Sequence, residues 1–211
     1  MATSPRFLYF DLGGVLLSFS HEQMCVQMAE VAGISTADVQ AVLFDGAPGP
    51  SLQWRLERGE VTVDEAYEHF CSRTGTRPNR TELYHAGSNM FATIDDTVAL
   101  VERLHAAGHA LGILSNTNAF DWQFVTDGRF AFLGERFGTY ALSFEARAMK
   151  PEPEIFQYAA ELVELPPEQV FFTDDKQENV DGALAAGFDA VVFESAAQLS
   201  DELRRRGIEV V

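Results

Sequence analysis

Four short polar stretches of this chain carry residue types that can act on one chemical group. The first is Asp11, a single carboxylate inside the apolar run Phe7 to Leu17 (FLYFDLGGVLL), with Gly13 and Gly14 just beyond it. The others are Ser115-Asn116 after ALGIL, Lys150 ahead of Pro151, and the pair Asp174-Asp175 that closes QVFFTDD. Burying a lone carboxylate costs several kcal/mol, so Asp11 is expected at a strand end with a partner. The glycines permit positive φ and a close approach of backbone N–H groups to an anion. Taken alone, the same stretch also reads as a strand ending in an Asp-Gly turn. Together, a carboxylate nucleophile, a hydroxyl/amide pair, a lysine and a carboxylate pair suit the holding of a phosphate beside a divalent metal. Asp11 with Asp174 or Asp175 offers hard oxygens for Mg²⁺, which needs only one or two carboxylates besides water and phosphate. Ser115 and Asn116 can donate to phosphate oxygens, and Lys150 adds a point charge that offsets carboxylate–phosphate repulsion.

Hydrophobic periodicity gives the elements that must bring these residues together. Phe7 to Phe10 is apolar without alternation, as in a strand buried on both faces of a parallel sheet. Further strands are expected at ALGILSN, TYALSFE (139–145), QVFFTDD (169–175) and DAVVF (189–193), with a Phe-rich loop after LSNTN. Helices are expected at 94–107, at 152–164 with Pro151 in the first turn, at 179–187 and at 199–206. This alternation predicts an α/β core with a doubly wound, parallel, Rossmann-like sheet, whose carboxyl edge is where ligands bind.

Between the first strand and residue 92 the pattern is helical throughout. Ser20 caps a helix that Gly33 stops, and Ser35 or Thr36 caps ADVQAVLF, which ends before Gly46 and Pro48-Gly49-Pro50. SLQWRLERGE follows, then VTVDEAYEHFCSRTG, where Thr62 and Glu65 have capping-box spacing. The expected organisation is a core of residues 1–17 and 92–211 carrying an all-helical cap, 18–91. Trp54, Arg55 and Tyr67 in that cap read either as pocket lining or as packing.

The 211 residues suffice for one core plus an insertion. A formal charge of −17, from 15 basic and 32 acidic residues, argues against nucleic acid and anionic membranes as partners. Cys25 and Cys71 fit no metal or disulfide spacing and read as reduced thiols. His105 and His109 flank Gly108 at a helix end and read as last-turn histidines rather than a metal pair. Asp11 and the glycines interrupt the N-terminal apolar run, and no apolar span reaches membrane length, so a cytoplasmic location is expected.

The set FDLGGVL, LSNTN, KPEPEIF and FFTDD resembles, in order and spacing, the four motifs of the haloacid dehalogenase-like superfamily. The resemblance covers essentially the whole chain, with the helical insertion where that family carries its α-helical cap. It implies that Asp11 is a nucleophile forming an aspartyl-phosphate and that Ser115 and Lys150 bind phosphate, with Asn116 assisting. It also implies that Asp174-Asp175 anchors Mg²⁺, Asp175 matching the direct ligand better, with the Gly13 carbonyl as a further ligand. The expected activity is a Mg²⁺-dependent phosphatase for a small phosphorylated metabolite. Bacterial sugar-1-phosphate phosphatases share the Asp-x-Gly feature, which makes a sugar phosphate a candidate substrate. Most phosphatases of the superfamily carry an acid/base aspartate where this chain has Gly13. Such help is worth about 10²–10⁴ in rate, and His21 and Glu22 are candidates to replace it. Two other readings stand beside this one. A binding or regulatory protein on a phosphatase scaffold follows from Gly13, since fold does not guarantee activity. A 2-haloacid dehalogenase would use Asp11 on carbon without metal, but Asp174-Asp175 would then be superfluous and Gly13 offers no aromatic.

Overall fold

Strand β1 (Phe7–Phe10) is buried at every residue in the computed structural model, which describes residues 5–45 and 51–211. Its chain leaves the sheet through a turn at Gly13 and Gly14 into a short strand β2 (Leu17–Ser18), paired antiparallel with β3 (Ala92–Thr93). The sheet itself is completed by β4 (Ala110–Ser115), β5 (Thr139–Leu142), β6 (Val170–Asp174) and β7 (Asp189–Val192). Its order is β5-β4-β1-β6-β7 and every pairing is parallel. The fold is α/β, with β1 at the centre. Register decides where the polar residues emerge. Phe10 stands opposite Ile113 on one side and Thr173 on the other, so Asp11, Ser115 and Asp174 follow within a residue or two at the carboxyl edge.

Both faces of the sheet are covered, as the unbroken apolar strands require. Leu8 and Phe10 pack with Leu100, Leu104 and Leu203, and Phe7 and Tyr9 with Ile155, Phe156 and Val180. The helices concerned are α6 (Asp95–Ala106) and α12 (Ala196–Arg205) on one face, and α10 (Pro153–Val163) and α11 (Gln177–Ala185) on the other. Gly112 is required on β4, because a Cβ there would lie 2.6 Å from a Tyr9 ring carbon.

The cap comprises α1 (His21–Ala32), α2 (Thr36–Phe44), α3 (Leu52–Glu57), α4 (Val63–Thr74) and α5 (Arg80–Ser88). Local capping chemistry explains their limits. Ser20 accepts from the Gln23 N–H, and Gly33 ends α1 at φ 66°. Ser35–Asp38 and Thr62–Glu65 both form reciprocal capping boxes. Met24, Met28, Leu43, Phe70 and Leu83 give the cap an apolar core of its own. The break expected at Gly46 and Pro48 to Pro50 lies outside the described residues.

Three expectations are corrected. The Phe-rich segment after LSNTN is not a loop but holds α7 (Ala119–Val125) and α8 (Ala131–Arg136). Asn118 nucleates α7 by accepting from the Phe120 and Asp121 N–H groups. The strand expected to reach residue 145 stops at Leu142, where α9 (Ser143–Ala146) begins. Pro153, rather than Pro151, occupies the first turn of α10. Cys25 and Cys71 are buried and unpaired, and His109 bonds the Glu209 carbonyl instead of a metal partner. Among the described residues, no helix is long and apolar enough to cross a membrane.

Candidate active site

The carboxyl edge brings Asp11, Lys150 and Asp174 into direct contact. Lys150 Nζ lies 2.8 Å from Asp11 Oδ1 and 2.6 Å from Asp174 Oδ2, and it donates to the Leu114 carbonyl at 3.0 Å. All three side chains are buried. The ammonium is thus held by two carboxylates and the end of β4. Asn116 completes the arrangement from its side chain: its Nδ2 donates to the Lys150 carbonyl and its Oδ1 accepts the Lys150 N–H. The amide expected to face an anion is therefore engaged in clamping the lysine backbone. Ser115 is buried one residue earlier, its hydroxyl making only a long 3.4 Å contact with the Asn116 carbonyl.

The two aspartates that end β6 differ. Asp174 accepts from the Lys176 N–H and twice from Asn179 Nδ2 in addition to Lys150, so its oxygens are saturated. Asp175 is exposed and lies against the β1 turn. A Cβ on Gly14, at φ 80°, would come within 2.5 Å of Asp175 Oδ2. Only glycine permits this approach at that backbone angle. One oxygen from each of Asp11, Asp174 and Asp175 falls within 4.8 Å of the others.

Three carboxylates here face one lysine, and the imbalance appears in their protonation. Burial raises Asp11, with Lys150 pulling it down and Asp174 pushing it up. Asp175 is likewise raised, by partial desolvation against the β1 turn and by Asp174. Burial also acts upward on Asp174, but Lys150 and its hydrogen bonds outweigh it and hold the group low. Lys150 is raised because the two carboxylates outweigh its burial. An all-oxygen donor set with surplus negative charge fits a hard divalent cation, so these residues suit Mg²⁺.

The cap closes over this edge along a seam of specific contacts. Ser143 Oγ, at the start of α9, contacts the Glu57 carbonyl of α3 at 2.6 Å and the Thr117 N–H and carbonyl at 2.9 Å each. Ser88 of α5 donates to Asp121 of α7 at 2.7 Å, and Arg58 pairs with Glu152. A cavity of about 70 Å³ lies beside the seam, mostly apolar but with Gln53, Ser88 and Asp121 in its wall. Glu57 and Asp121 were not distinguishable as site residues in the sequence. Burial pushes Glu57 up to about 7, against its hydrogen bond from Gln53, and Asp121 adds repulsion. Burial pushes Asp121 up to about 6, against hydrogen bonds from Ser88 and Asn118. Gly13 has the Phe19 ring over it, 2.8 Å from where a Cβ would stand. His21 is exposed at the start of α1, stacked between Phe19 and Phe44 with ring centroids 5.2 Å away in each case. Tyr67 lines the cavity within the cap, whereas Trp54 is exposed beneath the Arg58 guanidinium.

A parallel five-stranded sheet, a carboxylate beside a buried lysine at its centre and a helical cap define a hydrolase class. The family model for haloacid dehalogenase-like hydrolases matches residues 7–187, and the chain belongs to that family. It is similar to a D-ribitol-5-phosphate phosphatase of Bacteroides thetaiotaomicron, 25% identical over 201 residues, covering 93% of this chain and 95% of the relative. It is also similar to (S)-2-haloacid dehalogenase 1 of a Pseudomonas species, 28% identical over 140 residues, covering 65% of this chain and 58% of that one. Among solved structures, a family enzyme from Bacteroides thetaiotaomicron in complex with magnesium and inorganic phosphate superposes with a TM-score of 0.76. That pair is 24% identical, with 90% of this chain and 95% of the other covered.

Proposed function

We propose that this hydrolase is a Mg²⁺-dependent phosphatase of a small phosphorylated metabolite, working through an aspartyl-phosphate on Asp11. The observation that carries the reading is Lys150 held between Asp11 and Asp174, with Asp175 exposed beside them. The Lys150 ammonium and the Leu12 N–H, 2.7 Å away, both engage Asp11 Oδ1. Oδ2 is then the oxygen for in-line attack on phosphorus. As its bond to phosphorus forms, the ester P–O bond breaks. Water next attacks phosphorus, releasing inorganic phosphate and regenerating the Asp11 carboxylate. Asp174 positions Lys150, and Asn116 fixes the lysine backbone. Ser115 lies at the strand end that would meet phosphate oxygens. Asp11, Asp175 and the Gly13 carbonyl would hold Mg²⁺, with Asp174 behind them. Bound there, the ion supplies Lewis-acid charge to phosphate oxygens.

The similarity to the ribitol-5-phosphate phosphatase favours a polyol or sugar phosphate. The acidic surface favours such a small substrate over nucleic acid or an anionic membrane, and a cytoplasmic location accords with it. We assign residues 1–17 and 92–211 to the catalytic unit and 18–91 to the cap. A haloacid dehalogenase is the second reading, favoured by the Pseudomonas relative and by the Phe19 ring, which puts an aromatic over Gly13.

Phosphate release from a panel of polyol, sugar and aryl phosphates, with Mg²⁺ and with chelator, tests the proposal. Metal-dependent release abolished by Asp11→Asn is expected. Halide release from a 2-haloacid in excess chelator would favour the second reading. Binding without turnover of any ester would make the protein a binding module.

A further inference from the structure

An alkyl phosphate cannot release its alcohol readily unless the departing oxygen is protonated. The ionisable groups beside Asp11 are engaged elsewhere: Lys150 by two carboxylates and a carbonyl, Asp174 by four hydrogen bonds, and Asp175 by the metal-holding role proposed for it. The space above Gly13, where a side chain could have served, is filled by Phe19. The cap contributes another acid. Glu57 ends α3 where that helix docks onto the core, its carbonyl joined through Ser143 to Thr117, two residues beyond Ser115. Gly59 at φ 69° allows the docking, because any Cβ there would strike the Phe144 carbonyl. The Glu57 carboxyl is anchored by Gln53 Nε2, which donates to Oε1 at 2.8 Å and leaves Oε2 without that bond. The charged groups facing it are Asp121 from α7 and Lys176, next in sequence to Asp175.

Resting on the phosphatase reading, we propose that Glu57 is the general acid and base of the reaction, supplied by the cap in place of residue 13. As the bond from Asp11 to phosphorus forms and the ester P–O bond breaks, the Glu57 proton passes to the departing oxygen. The resulting carboxylate then takes a proton from the water that attacks phosphorus, which restores the acid and frees Asp11. At the half-buried seam, desolvation raises the carboxyl to about 7, so both its acid and base forms are populated near neutral pH.

The test compares ribitol 5-phosphate, whose leaving group needs a proton, with p-nitrophenyl phosphate, whose leaving group does not. Glu57→Gln is expected to lower kcat/KM about 10²-fold for the alkyl ester and within about tenfold for the aryl ester. It should also remove the alkaline limb of the alkyl pH profile, while Glu57→Asp retains that limb. Equal losses on both esters with unchanged melting temperature, no loss on either, or a leaving-group-dependent loss in His21→Ala instead would overturn the assignment. Absence of any Asp11-dependent phosphate release from wild-type protein would overturn the phosphatase reading itself, and Glu57 with it.

Discussion

Replacing Asp121 by Asn should stabilise the protein at neutral and alkaline pH and leave it nearly unchanged in acid. Asp121 is buried in the seam between cap and core, where Ser88 Oγ and Asn118 Nδ2 each donate to it at 2.7 Å. Burial still outweighs these bonds and moves its carboxyl from 3.8 up to about 6. The folded state therefore binds this proton more tightly than the unfolded chain. Between these two values the folded protein holds a proton that the unfolded chain has lost, so stability falls as pH rises through the window and levels off above it. The full effect is about 3 kcal/mol, of which about 1.4 kcal/mol falls between about pH 5 and about pH 8. Asparagine has the same shape and no charge. Asn118 Oδ1 is fixed as an acceptor by the Phe120 and Asp121 N–H groups, so Asn118 Nδ2 must keep donating to the new side chain. The new amide then donates to Ser88 Oγ, whose hydroxyl turns to accept. Urea denaturation of both proteins across this pH range is the assay. The variant should gain about 1–3 kcal/mol at about pH 8 and progressively less toward about pH 4. A pH-independent difference, or a less stable variant at about pH 8, would refute the account of the seam.

Two further outcomes follow from the charge cluster. Lys150→Met should abolish turnover and destabilise the metal-free protein by about 3–5 kcal/mol in urea denaturation, because it strands Asp11 and Asp174 without their cation. Mg²⁺ at about a hundredfold excess over its Kd should add about 2.7 kcal/mol to wild-type stability. Thermal melts of Asp175→Asn should lose that gain. In chelator the variant should melt no lower than wild type, since partial desolvation against the β1 turn and repulsion from Asp174 disfavour the Asp175 carboxylate.

The sheet and its polar edge were legible because both depend on short-range signals. Unbroken apolar runs ending in Asp11, Ser115 and Asp174 identify buried parallel strands, and parallel pairing aligns their ends without knowledge of a single contact. Cap helices α1, α2 and α4 were legible from Ser20, Ser35 and Thr62, whose capping partners lie three residues away. Short α7 was hidden because Ala119 to Val125 shows no apolar stripe and its one local signal, Asn118, sits in a stretch dominated by the phosphate-type motif. The donors on its side chain make Asn116 read as an anion ligand in the sequence. Its actual partner, the Lys150 backbone, is 34 residues away and invisible to spacing.

Glu57 shows why the remaining chemistry was illegible. In LQWRLERGE it has the sequence setting of any solvated glutamate near a helix end. What distinguishes it is a docking contact to Ser143, 86 residues on, and a neighbouring aspartate from yet another helix. Neither contact exists until the cap folds onto the core, so the electrostatic character of Glu57 belongs to the seam rather than to its helix. The same seam holds Asp121, and its cost in charge burial is incurred only when cap and core meet. A catalytic acid built in this way would be competent only with the cap docked, which couples proton supply to the exclusion of water from Asp11. Asp121→Asn would tighten docking and leave the Glu57 carboxyl and its Gln53 anchor in place, but remove the repulsion that helps raise it. The alkaline limb of the alkyl-ester profile should therefore move to lower pH, while the limb itself, lost in Glu57→Gln, is retained.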